Sequence, residues 1–241
     1  MKVFAMTDVG RVRPINEDSY YLPEPGERFC AVADGMGGHN AGEVASAMAV
    51  AAYSQNMRDV ERITAEAIHA AVERANDEVY RASMEDASRS GMGTTFSALA
   101  EQSGEIFMAH VGDSRIYLIR KNAIMQLTTD HTLVEELVQK GKITPREARV
   151  HPRRNIITRA LGTDPRVEID IIEITVRPGD VFFLCSDGLT NCVEDWEILK
   201  VTLCEDDWQG KLRQLVGMAL ENGGQDNITA MYAVFEEAGD R

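Results

Sequence analysis

No apolar run in the sequence reaches the 18 or so residues that a bilayer-spanning helix needs. The first residues, Met-Lys-Val-Phe-Ala-Met-Thr-Asp, contain no signal-peptide apolar stretch. Four cysteines, Cys30, Cys185, Cys192 and Cys204, form neither a C-x-x-C pair nor a zinc-like cluster. A soluble cytoplasmic protein with reduced thiols and no membrane partner is therefore expected. Internal repeats, low-complexity segments and Ser/Pro-rich linkers are missing, which favours one compact unit. Basic charge is scarce: 25 Lys and Arg stand against 39 Asp and Glu, a formal net charge of −14. That balance excludes a broad nucleic-acid footprint, although bound dications offset part of any negative charge.

Most catalytic signatures are absent as well. There is no G-x-S-x-G elbow, no H-E-x-x-H and no P-loop, and Gly35-Met36-Gly37-Gly38 has the glycines of a dinucleotide loop without its spacing. No cysteine has an arginine six positions later, the arrangement of a cysteine-based tyrosine phosphatase. No side-chain nucleophile stands out, and activated water remains as the nucleophile.

What is present begins with a 44% apolar content, enough for a sizeable core in one domain. Residues 41–56 are rich in Ala and Met, with Val44, Met48 and Ala51 or Ala52 spaced for one helical stripe. Residues 64–88 repeat the pattern with Ile68, Val72, Ala75, Val79 and Ala82. Strand-like runs follow at 28–33, 94–100, 105–111, 115–119, 181–185 and 228–235. Gln102-Ser103-Gly104 and Lys121-Asn122 read as hairpins and Arg177-Pro178-Gly179-Asp180 as a tight turn, so the strands they join should be antiparallel. The pattern predicts an α+β fold with helices covering antiparallel sheets. Residues 130–161 interrupt it with a helical piece at Leu133, Val134, Leu137 and Val138, a stop at Gly141 and a Thr144-Pro145 start, and read as an inserted helical flap. Within residues 139–160, seven basic residues (Lys140, Lys142, Arg146, Arg149, Arg153, Arg154, Arg159) stand against a single acid, Glu147. Two readings stay open for them: a solvated face, or a docking surface for something anionic.

The strongest chemical signal is a repeated grammar: an apolar strand runs into an aspartate followed by a small residue. It occurs at Asp34-Gly35, Asp113-Ser114 and Asp187-Gly188, while Asp226 precedes the final strand. Carboxylates at strand ends and strand starts of an antiparallel array meet at one rim. Several acids at one rim cannot all ionise unless cations sit among them. A single Asp-Gly is ordinarily a turn; the set is not. An all-oxygen site points to Mg²⁺ or Mn²⁺, and two such ions lower the pKa of a bound water and clamp an in-line phosphoryl displacement. Calcium is disfavoured because no D-x-[DN]-x-[DN]-G loop occurs.

In order along residues 2–235, the motifs are Gly10-x-Val12-Arg13-x-x-Asn16-Glu17-Asp18, Val32-Ala-Asp34-Gly35-Met36-Gly37-Gly38-His39, Gly93-Thr94-Thr95, His110-Val-Gly112-Asp113-Ser114-Arg115, Thr129-Asp130-His131-Thr132, Ser186-Asp187-Gly188 and Asp226-Asn227-Ile228-Thr229. This series resembles the protein phosphatase 2C family of metal-dependent protein phosphatases in its compact bacterial form. The resemblance implies a four-layer αββα sandwich of two antiparallel sheets flanked by helix pairs, spanning residues 1–236 as one phosphatase domain, with the flap at about 130–161 and a polar tail at 237–241. It implies two to three Mn²⁺ or Mg²⁺ ions. Asp34, Asp187 and Asp226 would hold one, Asp34 and the Gly35 carbonyl a second, and Asp113 with Asp187 a weaker third, with Glu17 and Asp18 acting through waters. Arg13 falls at the family's phosphate-binding arginine, whose planar fork suits bidentate contact. His39 falls at the histidine that protonates the leaving alkoxide, a role suited to a group titrating near neutrality; the alternative reading is a cap for the helix near Ala41. His110 and His131 read as structural, and His151 sits in the flap, whose sequence varies most within the family. The implied substrates are phosphorylated proteins, targets of a cognate bacterial serine/threonine kinase, and the implied state is a monomer. A non-catalytic phosphoprotein-binding module on the same fold and a phosphatase of small molecules are the alternatives.

Overall fold

A computed structural model describes residues 1–37 and 41–235. His39 and the 237–241 tail lie outside the described residues.

Eleven strands build two antiparallel sheets among the described residues. One contains, in spatial order, β1 (Lys2–Asp8), β11 (Ile228–Val234), β10 (Val181–Cys185), β7 (Arg115–Arg120) and β8 (Ala123–Gln126). The other contains β2 (Asp18–Tyr21), β3 (Phe29–Met36), β5 (Phe96–Gln102), β6 (Glu105–Val111) and β9 (Asp170–Thr175), with the short β4 (Gly93–Thr94) paired to the end of β3. Alternation along each strand divides the core into layers. Cys30 and Val32 of β3 point between the sheets, where they meet Leu99, Met108, Phe182, Leu184 and Met231. Phe29, Ala31 and Ala33 of the same strand point outward against α1 (Gly42–Arg58) and α2 (Ala65–Glu85). On the far side, Phe183, Cys185, Ala230 and Tyr232 pack against α6 (Asp195–Thr202) and α7 (Trp208–Glu221). Helices, two sheets and helices give the four layers that the resemblance implied.

Helix α1 buries Ala45, Ala49, Ala52 and Tyr53, whereas Val44 and Met48 sit at the margin of the contact. The helix is thus rotated from the expected stripe so that alanines, which allow close approach, face the sheet. Helix α2 follows the expected stripe and starts on a Thr64 side-chain cap.

Both two-residue loops are hairpins with left-handed residues: Ser103 and Gly104 at φ 54° and 86°, Lys121 and Asn122 at φ 50° and 61°. The third turn departs from expectation. Asp180 N–H donates to Arg177 O at 3.0 Å, but the turn carries the chain from β9 in one sheet to β10 in the other. The Gly112–Ser114 corner likewise crosses between sheets, from β6 to β7.

Between β8 and β9 the chain leaves the sandwich and forms α3 (Leu133–Gln139) and α4 (Pro145–Arg149). Gly141 (φ 66°) lies between them, and a Thr144–Glu147 capping box starts α4. No helix among the described residues is long and apolar enough to cross a membrane.

Candidate functional site

The acids named from the sequence meet at one end of the sandwich, contributed by both sheets. Asp18 opens β2 and stands opposite Asp34 of β3 in register. Asp113 lies on the corner after β6. Asp187 begins α5 (Asp187–Thr190) just beyond β10, and Asp226 lies two residues before β11. One expectation needs correction: Asp34 does not end its strand, because β3 continues to Met36 and pairs with β4 there. Gly35, within this continuation, leaves no room for a side chain. A Cβ there would lie 2.1 Å from Gly42 O and 2.5 Å from Glu17 O.

Burial and mutual repulsion dominate the electrostatics. Burial pushes the Asp18 carboxyl up to about 7, opposed by two hydroxyl donors and reinforced by Asp187 and Asp226. Asp34 and Asp113 are driven well above the carboxylate range by burial and then by neighbouring acids, and Asp187 is raised for the same reasons. Asp34 and Asp187 are half-buried. Glu17 is raised by burial and lowered by Arg13.

A skeleton of uncharged polar groups holds the acids in place. Ser186 Oγ and Thr229 Oγ1 donate to Asp18 Oδ2 at 2.8 and 2.6 Å. Asp34 N–H donates to Thr95 Oγ1 at 2.9 Å, and Thr94 Oγ1 donates to Asp34 O at 2.9 Å. Asn191 Nδ2 donates to Asp187 Oδ2 at 2.9 Å. Asn227 ties the site to the 9–17 loop: its Nδ2 donates to Val9 O and Ile15 O, both at 2.9 Å, and its Oδ1 accepts from Glu17 N–H at 2.8 Å. That loop carries Arg13, whose Nη2 donates to Asp226 Oδ2 at 2.9 Å.

These partners went unassigned in the sequence, although each lies inside or beside a motif noted there. Their signal was a hydroxyl or amide in an otherwise apolar strand, as at Thr95, Ser97 and Thr229.

The donor set fits hard dications. Every converging ligand is an oxygen, and two buried oxygens, Asp18 Oδ1 and Asp113 Oδ1, have no hydrogen-bond partner. No group of three or more His, Cys, Asp or Glu side chains among the described residues already stands in a metal-ligating arrangement. Arg13 engages Asp226, and Asp187 is engaged by Asn191.

Two of these acids line a cleft of about 420 Å³ between the flap and the α5–α6 segment. Asp113 and Asp187 form its floor, and Pro145, Arg149 and Arg154 of the flap and Glu194 line its mouth. Arg149 is paired with Glu194 across that mouth. Arg159 is paired with Glu168 and Asp170, and Lys140 with Glu136. Part of the flap's positive charge is therefore neutralised internally. His151 Nδ1 accepts from Arg153 N–H at 3.1 Å and belongs to the flap's own turn. His110 and His131 are buried beneath the Asp113 corner.

Comparison with known proteins places this geometry. The family model for protein phosphatase 2C matches residues 13–231. Protein phosphatase PhpP of Streptococcus pneumoniae is 38% identical over 244 residues, covering 98% of this chain and 99% of that protein. The crystal structure of the Mycobacterium tuberculosis serine/threonine phosphatase PstP/Ppp superimposes with a TM-score of 0.91 at 39% identity, covering 98% of this chain and 99% of that one. The catalytic domain of PstP in complex with two manganese ions superimposes with a TM-score of 0.89 at 37% identity, covering 98% of each chain.

Proposed function

The chain belongs to the protein phosphatase 2C family, and from that premise we propose that it removes phosphate from phosphoserine and phosphothreonine in proteins with the help of bound divalent cations. The observation that carries the reading is the convergence of Asp18, Asp34, Asp113, Asp187 and Asp226 from both sheets, with two buried carboxylate oxygens left unpartnered. Asp34, Asp187 and Asp226 would hold one ion, Asp34 with the Gly35 carbonyl a second, and Asp113 with Asp187 a third. Glu17 and Asp18 would act through waters. When bound, Mn²⁺ or Mg²⁺ supplies charge neutralisation and an activated water for in-line displacement at phosphorus.

The protein's own part is positioning and proton delivery. Arg13 is exposed on one side and tethered to Asp226 on the other, so its free fork faces the route by which a phosphoryl group approaches the acids. His39 donates the proton that the departing serine or threonine Oγ needs. The cleft beneath the flap receives the polypeptide around the phosphoresidue. Phosphorylated targets of a serine/threonine kinase in a bacterial cytoplasm are the proposed substrates, and the proposed state is a monomer. The binding-module alternative is not favoured, because every acid the reaction needs is present and the relatives are named phosphatases.

Incubating the purified chain with a phosphothreonine peptide tests the reading. Phosphate release should require Mn²⁺ or Mg²⁺, stop with chelator, fall by orders of magnitude in Asp34→Asn, and exceed release from free phosphometabolites. Turnover indifferent to chelator, or tight peptide binding without turnover in excess metal, would overturn it.

A further inference from the structure

Below the acids, one histidine grips the Asp113 corner from both sides. His131 Nδ1 accepts from Gly112 N–H at 3.0 Å, and His131 N–H donates to Gly112 O at 2.7 Å. The far ring nitrogen, Nε2, lies 3.1 Å from Asp170 Oδ2. Since Nδ1 must accept, Nε2 carries the proton and donates it to Asp170. Arg159 Nη1 at 3.3 Å from Nε2 is then a neighbouring donor, anchored instead on Asp170 Oδ1 at 3.0 Å. Gly112 has little freedom to answer this grip in any other way. Its φ is +109°, and a Cβ on it would lie 2.6 Å from Thr95. Asp113, the next residue, has a buried Oδ1 with no partner, so no contact at that oxygen fixes its aim and the backbone it hangs from counts for more.

The same residue touches the flap. Thr158 N–H donates to His131 O at 2.8 Å, Leu133 N–H donates to Ile156 O at 2.9 Å, and Thr132 bridges Ile157. The returning leg of the flap is thus zipped to residues 131–133, and these to Gly112.

We propose that His131 is a positioning residue that aims the Asp113 carboxylate by clamping Gly112, and thereby sets the affinity of the weakest cation position and links it to the base of the flap. The inference rests on the reading of Asp113 as a cation ligand. Partners one bond removed from a ligand commonly matter to metal affinity by a factor of 10 or more.

Two substitutions separate the ring's two bonds. His131→Asn puts an amide oxygen where Nδ1 accepts from Gly112 and gives up Asp170. His131→Gln puts an amide nitrogen where Nε2 donates to Asp170 and gives up the acceptor for Gly112. Mn²⁺ titration by calorimetry of the folded proteins, with Asp113→Asn as reference, reads the effect without any turnover. The expected result is a weakest class of sites that vanishes in Asp113→Asn, weakens on the order of 10-fold in His131→Gln, and changes by less than about 3-fold in His131→Asn. In the wild-type protein, ¹⁵N spectra should show a bare Nδ1 and a protonated Nε2. Equal effects of the two substitutions, an unaltered weak class in His131→Gln, no class lost in Asp113→Asn, or a protonated Nδ1 would each overturn the inference. A wild-type protein that binds no cation at all would instead overturn the phosphatase reading.

Discussion

Replacing Asp18 by Asn asks whether the acids at the head of the sandwich are held together against their own charge. The Asp18 carboxyl is raised from 3.8 to about 7, chiefly by burial. A folded value above the unfolded one means that the native state holds its proton more tightly. The stability this confers is complete below about pH 4 and is lost as pH rises through about 7. The gap is worth about 4 kcal/mol in full, of which on the order of 1 kcal/mol disappears between pH 6 and pH 8. Asp34, Asp113 and Asp187 are shifted in the same direction. His110 opposes them. Burial lowers its value from 6.5 to about 4, so its neutral form is favoured in the fold and its stabilisation fades as pH falls through that window. Between pH 8 and pH 6 that loss is smaller than the gain from Asp18 alone, because most of it falls below pH 6.

In chelator, the wild-type protein should therefore melt higher at pH 6 than at pH 8, and Mn²⁺ should restore the difference at pH 8. A cation at a hundred times its dissociation constant adds about 2.7 kcal/mol per site. Asp18→Asn preserves an acceptor for Ser186 and Thr229 while removing the charge. In chelator at pH 8 it should melt above wild type by on the order of 10 °C. The difference should shrink to less than about half by pH 5, and His110 cancels from the comparison. Scanning calorimetry or circular dichroism reads the result. An Asn variant less stable than wild type at pH 8, or a difference that does not depend on pH, would refute the electrostatic account.

Three further outcomes follow from the site. His39→Gln should lower kcat on a phosphothreonine peptide on the order of 100-fold but spare p-nitrophenyl phosphate, whose leaving group needs no proton; equal losses in the steady-state assay would count against a proton donor. Arg13→Lys keeps the charge but not the fork, and should raise KM for phosphopeptide about 10-fold with kcat little changed; an unaltered KM would remove Arg13 from phosphate binding. Gly188→Ala sets a Cβ 2.0 Å from Asn227 O. It should cost about 3 kcal/mol, measured by denaturant melts, and disable turnover by separating Asp187 from Asp226; a wild-type melting profile would contradict the packing.

Legibility in the sequence followed signal length. The β5–β6 and β7–β8 turns were visible because left-handed backbone favours Ser-Gly and Lys-Asn pairs, and α2 because its apolar stripe runs for several turns. Strand β2 has four residues and β8 has four, too few for a period of two to register. Strand β9 breaks its isoleucines with Asp170 and Glu173 and so lacks a clean alternation, as suits a sheet edge that shields itself with charge. Helix α7 was obscured by Gly210 and Gly217 within it, and α6 by a Glu194 cap in place of the usual Ser or Thr. At the site, each acid was legible from its own neighbours in the chain. The groups that hold them were not, because Asp18 with Thr229 and Glu17 with Asn227 are separated by more than 200 residues. Only the sandwich brings such pairs together.

The chain crosses between the sheets at Gly112, at Arg177-Pro178, through the 9–17 loop and through the flap, yet the head of the sandwich faces itself with like charge. Dications drawn into that gap would work as rivets through both layers, so that one event supplies the chemistry and closes the seam. Metal starvation should then loosen β2 and the start of β11 first, leaving the rest of the sandwich shut, in a graded opening that amide exchange can follow strand by strand.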